Sequence, residues 1–353
     1  MTEPVPALSE PLSALLEAGV EVPGCPKHMT YGPCGGVRED LGCEVEPAPC
    51  PFAAETGPVH WAGPAPPRRP EPALLVRTRG RPLVLTDLSV PPYDAATVRR
   101  TVSSLSVACD AILVGEHHDE PDFPPTMLAS LVREAGGHPW ITLTCRDRNR
   151  VVLEQEVAGL AATGTDGVFC ATGDARAPGM RPDATQVFDL DGTRLAGLAA
   201  AAGLSVAVPE TPDAPPRGNR AGRLAQKQLA GAQLAVLNHA GSAEHVAAFA
   251  GAVRAEGASL PIVAGVAVYT DEPSARLLQA FPGLELDQGR VEAVLSAPDP
   301  VAAGIDAAVA EARELMAVDG VAGVNLSGRG TSAGFDESTA IKAEIGRRIR
   351  SEV

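Results

Sequence analysis

The chain has 353 residues, long enough for one large α/β domain plus a small appendage, and 45% of them are hydrophobic, so a sizeable core can be buried. A formal net charge of −15 works against phosphate backbones and anionic lipid, and an aromatic content of 3% against a stacking platform for single-stranded nucleic acid. Neither a basic region leading into an apolar run nor a membrane-length apolar stretch is visible; with seven cysteines, this predicts a reducing, cytoplasmic setting without a disulfide framework.

In chain order, residues 1 to about 20 read as weakly helical, with Leu8, Leu12, Leu15 and Leu16 able to share one face. Cys25, Cys34, Cys43 and Cys50 follow, in a stretch rich in Gly and Pro that permits tight turns. Four thiolates match one tetrahedral Zn2+, and an iron–sulfur cluster takes the same number. Residues 63–70 carry so many prolines that helix and sheet lose their backbone donors, which predicts a linker. The expected division is a Cys-rich module over residues 1–60, a linker over 61–72 and the main domain over 73–353.

Eight short, nearly continuous apolar runs then alternate with segments of helical period. The expected strands are Leu83–Thr86, Ala111–Val114, Trp140–Cys145, Gly167–Ala171, Ser205–Val208, Leu234–Asn238, Pro261–Val266 and Val321–Leu326. Runs apolar on both faces suit buried parallel strands, and eight β/α units in this length predict a (β/α)8 TIM barrel, with a doubly wound sheet as the alternative. The Pro-, Gly- and Asp-rich stretch from Thr270 to Asp299 reads as an elaboration between the last two strands.

In a barrel the chemistry gathers where strands end. Those ends carry Asp87, Glu116-His117-His118, Arg146-Asp147, Thr172-Gly173-Asp174, Glu210, Asn238-His239 and Asn325. Each also has a plainer reading: Asp174 as a helix cap, Lys227 as a solvated helix residue, Glu116 with its histidines as half a metal site short of a ligand. Cys109, Cys145 and Cys170 read as small buried hydrophobes. The glycines between Gly328 and Gly334 suit either a phosphate cradle or a mobile loop.

Residues 141–149 (ITLTCRDRN), followed by VFCATGD (168–174), VAVPE (206–210) and KQLAGAQLAVLN (227–238), resemble successive motifs of the methylenetetrahydrofolate reductase family over about residues 83–330. CPKHMTYGPCGG (25–36), with the cysteines at 43 and 50, resembles the cysteine-rich module associated with bacterial members, though there it usually follows the barrel or is a separate subunit. The resemblance implies reduction of 5,10-methylenetetrahydrofolate to 5-methyltetrahydrofolate, with NAD(P)H as cosubstrate and FAD as the hydride carrier. It implies a small-molecule folate partner and leaves open a homo-oligomer or a redox partner subunit. A flavin-independent reductase of a related pterin or imine, and a non-catalytic folate-binding or partner-regulating protein, are the alternatives.

Carried over residue by residue, Asp174 matches an Asp beside pterin and flavin, and Lys227 a lysine that contacts the cofactor. Thr142, Thr172, Gly173 and Arg223 fall at cofactor-contacting places, with Thr142 standing where the family has His. Arg220 and Arg223 replace an Asp and an Asn on the flavin-contacting helix, and Gln226 replaces an Arg. Asn238 replaces the Gln that anchors the pterin, with shorter reach. Leu88 aligns with the family's catalytic Glu, and Asp87 lies one residue away. The general acid is therefore expected at Asp87, brought inward by a bulge or shift near Ser89-Val90, or at Glu116.

Overall fold

The computed structural model describes residues 24–54, 57–117, 120–176, 181–280 and 284–351; the helix expected over residues 1–20 lies outside them. The chain forms β1 (Leu83–Asp87), β2 (Ala111–Val114), β3 (Pro139–Thr144), β4 (Gly167–Ala171), β5 (Val206–Glu210), β6 (Leu234–Leu237), β7 (Ile262–Tyr269) and β8 (Val321–Gly330). All are parallel, and β1 pairs with β8 to close an eight-stranded barrel. The helices are α1 (Ala73–Arg77), α2 (Ala95–Leu105), α3 (Pro125–Glu134), α4 (Arg150–Thr163), α5 (Gly192–Ala201) and α6 (Arg220–Ala230). There follow α7 (Ala243–Ala255), α8 (Glu272–Gln279), α9 (Gln288–Leu295), α10 (Pro300–Met316) and α11 (Phe335–Ser351).

Local chemistry sets many of the helix starts. Asp94, Asn149, Asp191 and Ser242 each accept a backbone N–H from the first turn of the helix that follows, which satisfies donors with no partner inside the helix. The stretch from Thr270 to Asp299 is more ordered than its composition suggests. Its acids are caps, Asp271 for α8 and Asp287 for α9, and Pro273 sits in the first turn of α8, where a missing N–H costs nothing. Tyr269, Leu278, Val291 and Val294 bind this elaboration through their own apolar cluster. β7 and β8 run longer than expected because they keep pairing as far as Tyr269 and Gly330, past an irregularity between Ala267 and Tyr269.

Two cores follow from strand alternation. Val84, Ile112, Ile141, Val168 and Val206 face outward against the helices. Leu83, Leu85, Leu113, Trp140, Phe169, Val236 and Val263 fill the barrel, whose N-terminal end is plugged by Leu74 of α1. Leu83 and Leu85 are fully buried. At about 1.5–3 kcal/mol for each such side chain, a one-residue slip of β1 is costly, so the register that places them inside also carries Asp87 inside.

The proline-rich segment is pinned rather than free. Trp61 N–H donates to Gln226, Arg69 binds the carbonyls of Leu204 and Gly231, and Gln233 binds the carbonyl of Pro70. No described helix is long and apolar enough to cross a membrane.

Candidate functional site

At the C-terminal mouth of the barrel, Asp87 continues the inward series of Leu83 and Leu85, while Leu88 packs outward with the helix layer. Strand alternation alone therefore turns the carboxylate inward, and β1 pairs with β2 through Asp87 without a break. Asn325 of β8 donates from Nδ2 to Asp87 Oδ1 at 2.9 Å and to Ser327 Oγ at 3.0 Å. Its Oδ1 is buried with no hydrogen-bond partner among the described residues. Lys342 of α11, buried behind β1, donates to the Asp87 carbonyl at 2.8 Å; burial lowers its pKa, and the Asp87 charge opposes the shift.

Around the same rim Asn238 is exposed at the end of β6 and donates to Thr211 Oγ1 at 2.9 Å. Asp174 is exposed at the end of β4, with Arg146 reaching its backbone carbonyl and no hydrogen bond to its carboxylate among the described residues. Gly173 turns the chain there at φ +92°, where a Cβ would also come within 3.0 Å of Thr144 Cβ, so the position requires glycine. Thr142 is buried on the inner face of β3. Thr172 points outward: its hydroxyl accepts the Gly192 N–H at 2.9 Å and touches Met29 Sδ.

That last contact belongs to a larger one. The cysteine module sits on the mouth side of β4 and β5, so its place before the barrel still brings it to the rim. Lys27 Nζ donates to the Gly173 carbonyl at 2.7 Å and pairs with Glu44, which in turn accepts the Ala175 N–H. The backbone N–H groups of Thr30 and Tyr31 both reach Asp191, the cap of α5. Arg220, fully buried, donates to the carbonyls of Pro33 and Cys34 and to those of Ala214 and Pro215. Arg223 lies against Gly32.

This docking decides how the residues aligned with flavin contacts are used. Arg220 and Arg223 face the module, and Gln226 holds Trp61. Lys227 is buried and pairs with Glu210 at 2.8 Å, besides donating to the Pro209 carbonyl. Burial alone would raise the Glu210 carboxyl; the adjacent Lys227 ammonium, with Arg223 and Arg220, overrides it and holds the group near 2. Burial lowers the Lys227 ammonium to about 8 against the pull of Glu210. The α6 surface that the resemblance assigns to FAD is covered by protein, so these residues do not fit that group.

Cys25, Cys34 and Cys50 share one small cluster with Met29, Val37 and Phe52, and Cys43 is buried outside it. Burial raises the Cys25 and Cys50 thiols, and neighbouring cysteines raise them further, Cys34 and Cys43 in both cases. Cys25 accepts N–H bonds from Met29 and Lys27, Cys50 from Phe52, and Cys43 from Val45 at 3.4 Å. Backbone donors two residues beyond three of the four sulfurs favour thiolate, the form that binds metal. Among the described residues, no group of three or more His, Cys, Asp or Glu side chains is placed to hold a metal ion. Four thiols are the donor set that a metal would use.

Glu116 is held at the wall between β2 and β3. It accepts Thr144 N–H at 3.0 Å and Thr144 Oγ1–H at 2.6 Å, and pairs with Arg148 at 2.6 Å. His117 pairs with Asp122, and His118 lies outside the described residues. The donors of the loop from Gly328 to Gly334 converge on a carboxylate of the chain: Thr331 Oγ1, Ser332 N–H and Ser332 Oγ all reach Asp271 Oδ2. Sequence reasoning named neither Asn325 nor Lys342 as site residues. Asn325 was visible as a strand end, whereas Lys342 gave no local signal.

The fold class is thus a (β/α)8 barrel with a small cysteine module on its catalytic-type rim. No family model matches the chain, and no curated protein matches its sequence. Solved structures do match. An uncharacterized protein from Clostridium thermocellum that binds two copies of 5-methyl-5,6,7,8-tetrahydrofolic acid aligns with TM-score 0.60 at 10% identity, over 79% of this chain and 98% of that one. Tryptophan synthase from M. tuberculosis aligns with TM-score 0.46 at 15% identity, over 80% and 99%. A 2,3-dimethylmalate lyase aligns with TM-score 0.45 at 13% identity, over 78% and 84%.

Proposed function

We propose that the barrel mouth binds a reduced folate and converts 5,10-methylenetetrahydrofolate to 5-methyltetrahydrofolate, with hydride taken directly from NAD(P)H. The observation that carries the reading is the inward carboxylate of Asp87, fixed by Asn325 at the mouth. The likeness to a barrel that binds 5-methyltetrahydrofolate supports the substrate class. The covering of α6 by the module favours transfer without flavin over the FAD route.

In this scheme Asp87, protonated, gives its proton to N10 of the folate as the methylene–N10 bond breaks, leaving an iminium at N5. Hydride from the nicotinamide C4 adds to the iminium carbon to form the methyl group. NAD(P)H is oxidised to NAD(P)+, and solvent returns the proton to Asp87. Asn238 and Asp174, exposed on the same rim, are the groups offered to the pterin edge. Turnover of NAD(P)H carrying deuterium at both C4 positions tests this. Direct transfer puts deuterium in the product methyl group, whereas a flavin carrier would exchange it with solvent. A product methyl without deuterium, or no turnover at all, sinks the proposal.

We further propose that Cys25, Cys34, Cys43 and Cys50 hold one Zn2+, with an iron–sulfur cluster as the alternative. The metal would be structural, tying together turns with too small a core of their own. Elemental analysis of the purified chain reads the answer; neither zinc nor iron near one equivalent would reject it.

A further inference from the structure

Beside the mouth, the ends of β2 and β3 and the loop after β4 enclose a cavity of about 290 Å³. One wall is apolar, formed by Phe123, Leu128 and Ile141, and the other carries Arg146 and Arg176. Arg146 is only 4% exposed and the Arg176 side chain 12%, and both guanidinium groups lean on one carboxylate, Asp147, at 2.9 and 2.7 Å. Arg146 and Arg176 thus share one carboxylate, while Glu116, Glu120 and Asp122 line the same cavity with Arg148 and Arg181. Arg176 Nε and Nη1 are moreover buried with no hydrogen-bond partner among the described residues.

A buried guanidinium with two idle donors is costly, and the group that relieves it is an anion able to accept both at once. We infer that this cavity is a subsite for an anionic group carried on an apolar arm, a carboxylate or a phosphate bound in a fork by Arg176. Its volume lies at the lower limit of small-molecule pockets, so it takes one arm of a larger ligand rather than the whole of it. Resting on the folate reading, the two sources of that chemistry are the benzoylglutamate arm of the substrate and the diphosphate of the dinucleotide. The apolar wall favours the first.

Fragment probes test the subsite independently of that reading. 4-Aminobenzoylglutamate and inorganic pyrophosphate are titrated calorimetrically into the full chain, its Arg176→Gln and Arg176→Lys variants, and a Phe123→Ala variant. The wild type is expected to bind at least one probe saturably. Arg176→Gln should lose on the order of 10- to 100-fold in affinity, and Arg176→Lys less, since an ammonium keeps the charge but not the fork. Phe123→Ala should weaken 4-aminobenzoylglutamate and spare pyrophosphate. An unchanged melting temperature of Arg176→Gln rules out misfolding as the cause.

If neither probe saturates the wild type, or if Arg176→Gln binds as the wild type does, the inference is overturned. Whichever probe responds identifies the arm. If the probes respond as expected but neither 5-methyltetrahydrofolate nor NAD(P)H competes with them, the subsite stands and the folate reading falls.

Discussion

Across the seam where the barrel closes, Asn325 Nδ2 holds Asp87 Oδ1 at 2.9 Å, joining residues 238 positions apart. The bond fixes one carboxylate oxygen, and the other has no hydrogen bond among the described residues, which leaves it available to carry a proton. Asp87→Asn keeps the shape and removes the proton. It is expected to cost about 10²–10⁴-fold in turnover while folate still binds, as loss of a positioned general acid does. Asn325→Ala should lower turnover less, because it frees the carboxylate without removing it. Steady-state rates against pH, with folate affinity by calorimetry, check both; an Asp87→Asn enzyme of wild-type rate would put the acid elsewhere.

Lys227 and Glu210 form a buried pair that Arg220 flanks at 3.6 Å from the same carboxylate, with no reach left for a cofactor phosphate. Removing one partner of such a pair strands the other charge, at a cost of about 3–5 kcal/mol. Lys227→Met should therefore lower the melting temperature by several degrees, and adding Glu210→Gln should recover part of the loss. A cofactor lysine would behave differently, with unchanged stability and weaker cofactor binding. Thermal melts of the single and double variants separate the two.

How far the sequence reached is seen in these same residues. The strands were legible because a parallel strand buried on both faces is an apolar run, and each expected run lies on a strand of the barrel to within a few residues. Asp87 was legible as a strand end, and its direction follows from Leu83 and Leu85, whose burial fixes the register. The duties of Arg220, Arg223 and Lys227 were not legible. Arg220 and Arg223 depend on the docking of a segment some 190 residues earlier, and Lys227 on a carboxylate of the neighbouring strand, and no local pattern encodes either. The linker misleads for a related reason. Its prolines do preclude helix and ladder, yet the carbonyl of Pro70 and the guanidinium of Arg69 still bind the barrel.

His239, buried at the end of β6, meets Glu311 at 2.5 Å through Nε2 and the Glu285 carbonyl through Nδ1. Burial lowers its pKa, but the hydrogen bond and charge of Glu311, with the Glu285 carbonyl, outweigh that and raise it above its ordinary 6.5. A group raised on folding binds its proton more tightly in the native state. Its contribution is thus full below about pH 6.5 and is lost as pH rises through the higher native value. Melting temperature should fall over that interval, and His239→Gln should flatten the fall. An equal slope in wild type and variant would exclude His239 as its source.

The module and the barrel are expected to answer to the metal together. Met29, Val37, Cys50 and Phe52 form its buried hydrophobic cluster, with Tyr31 and Cys43 also buried, too few to fold a segment of this length unaided, so its structure should depend on the bound ion. Arg220 donates to the carbonyls of Pro33 and Cys34, the latter a proposed ligand residue, and Arg223 is covered by Gly32. Chelation should therefore raise amide exchange not only across residues 25–53 but also through the first turns of α6, where these arginines lose their partners. The Lys227 end of α6 should stay protected, because Glu210 belongs to β5 and not to the module. Adding Zn2+ back should restore both regions. Faster exchange confined to the module would show that the docking survives without the metal, and unchanged exchange throughout would mean that no metal supports this fold.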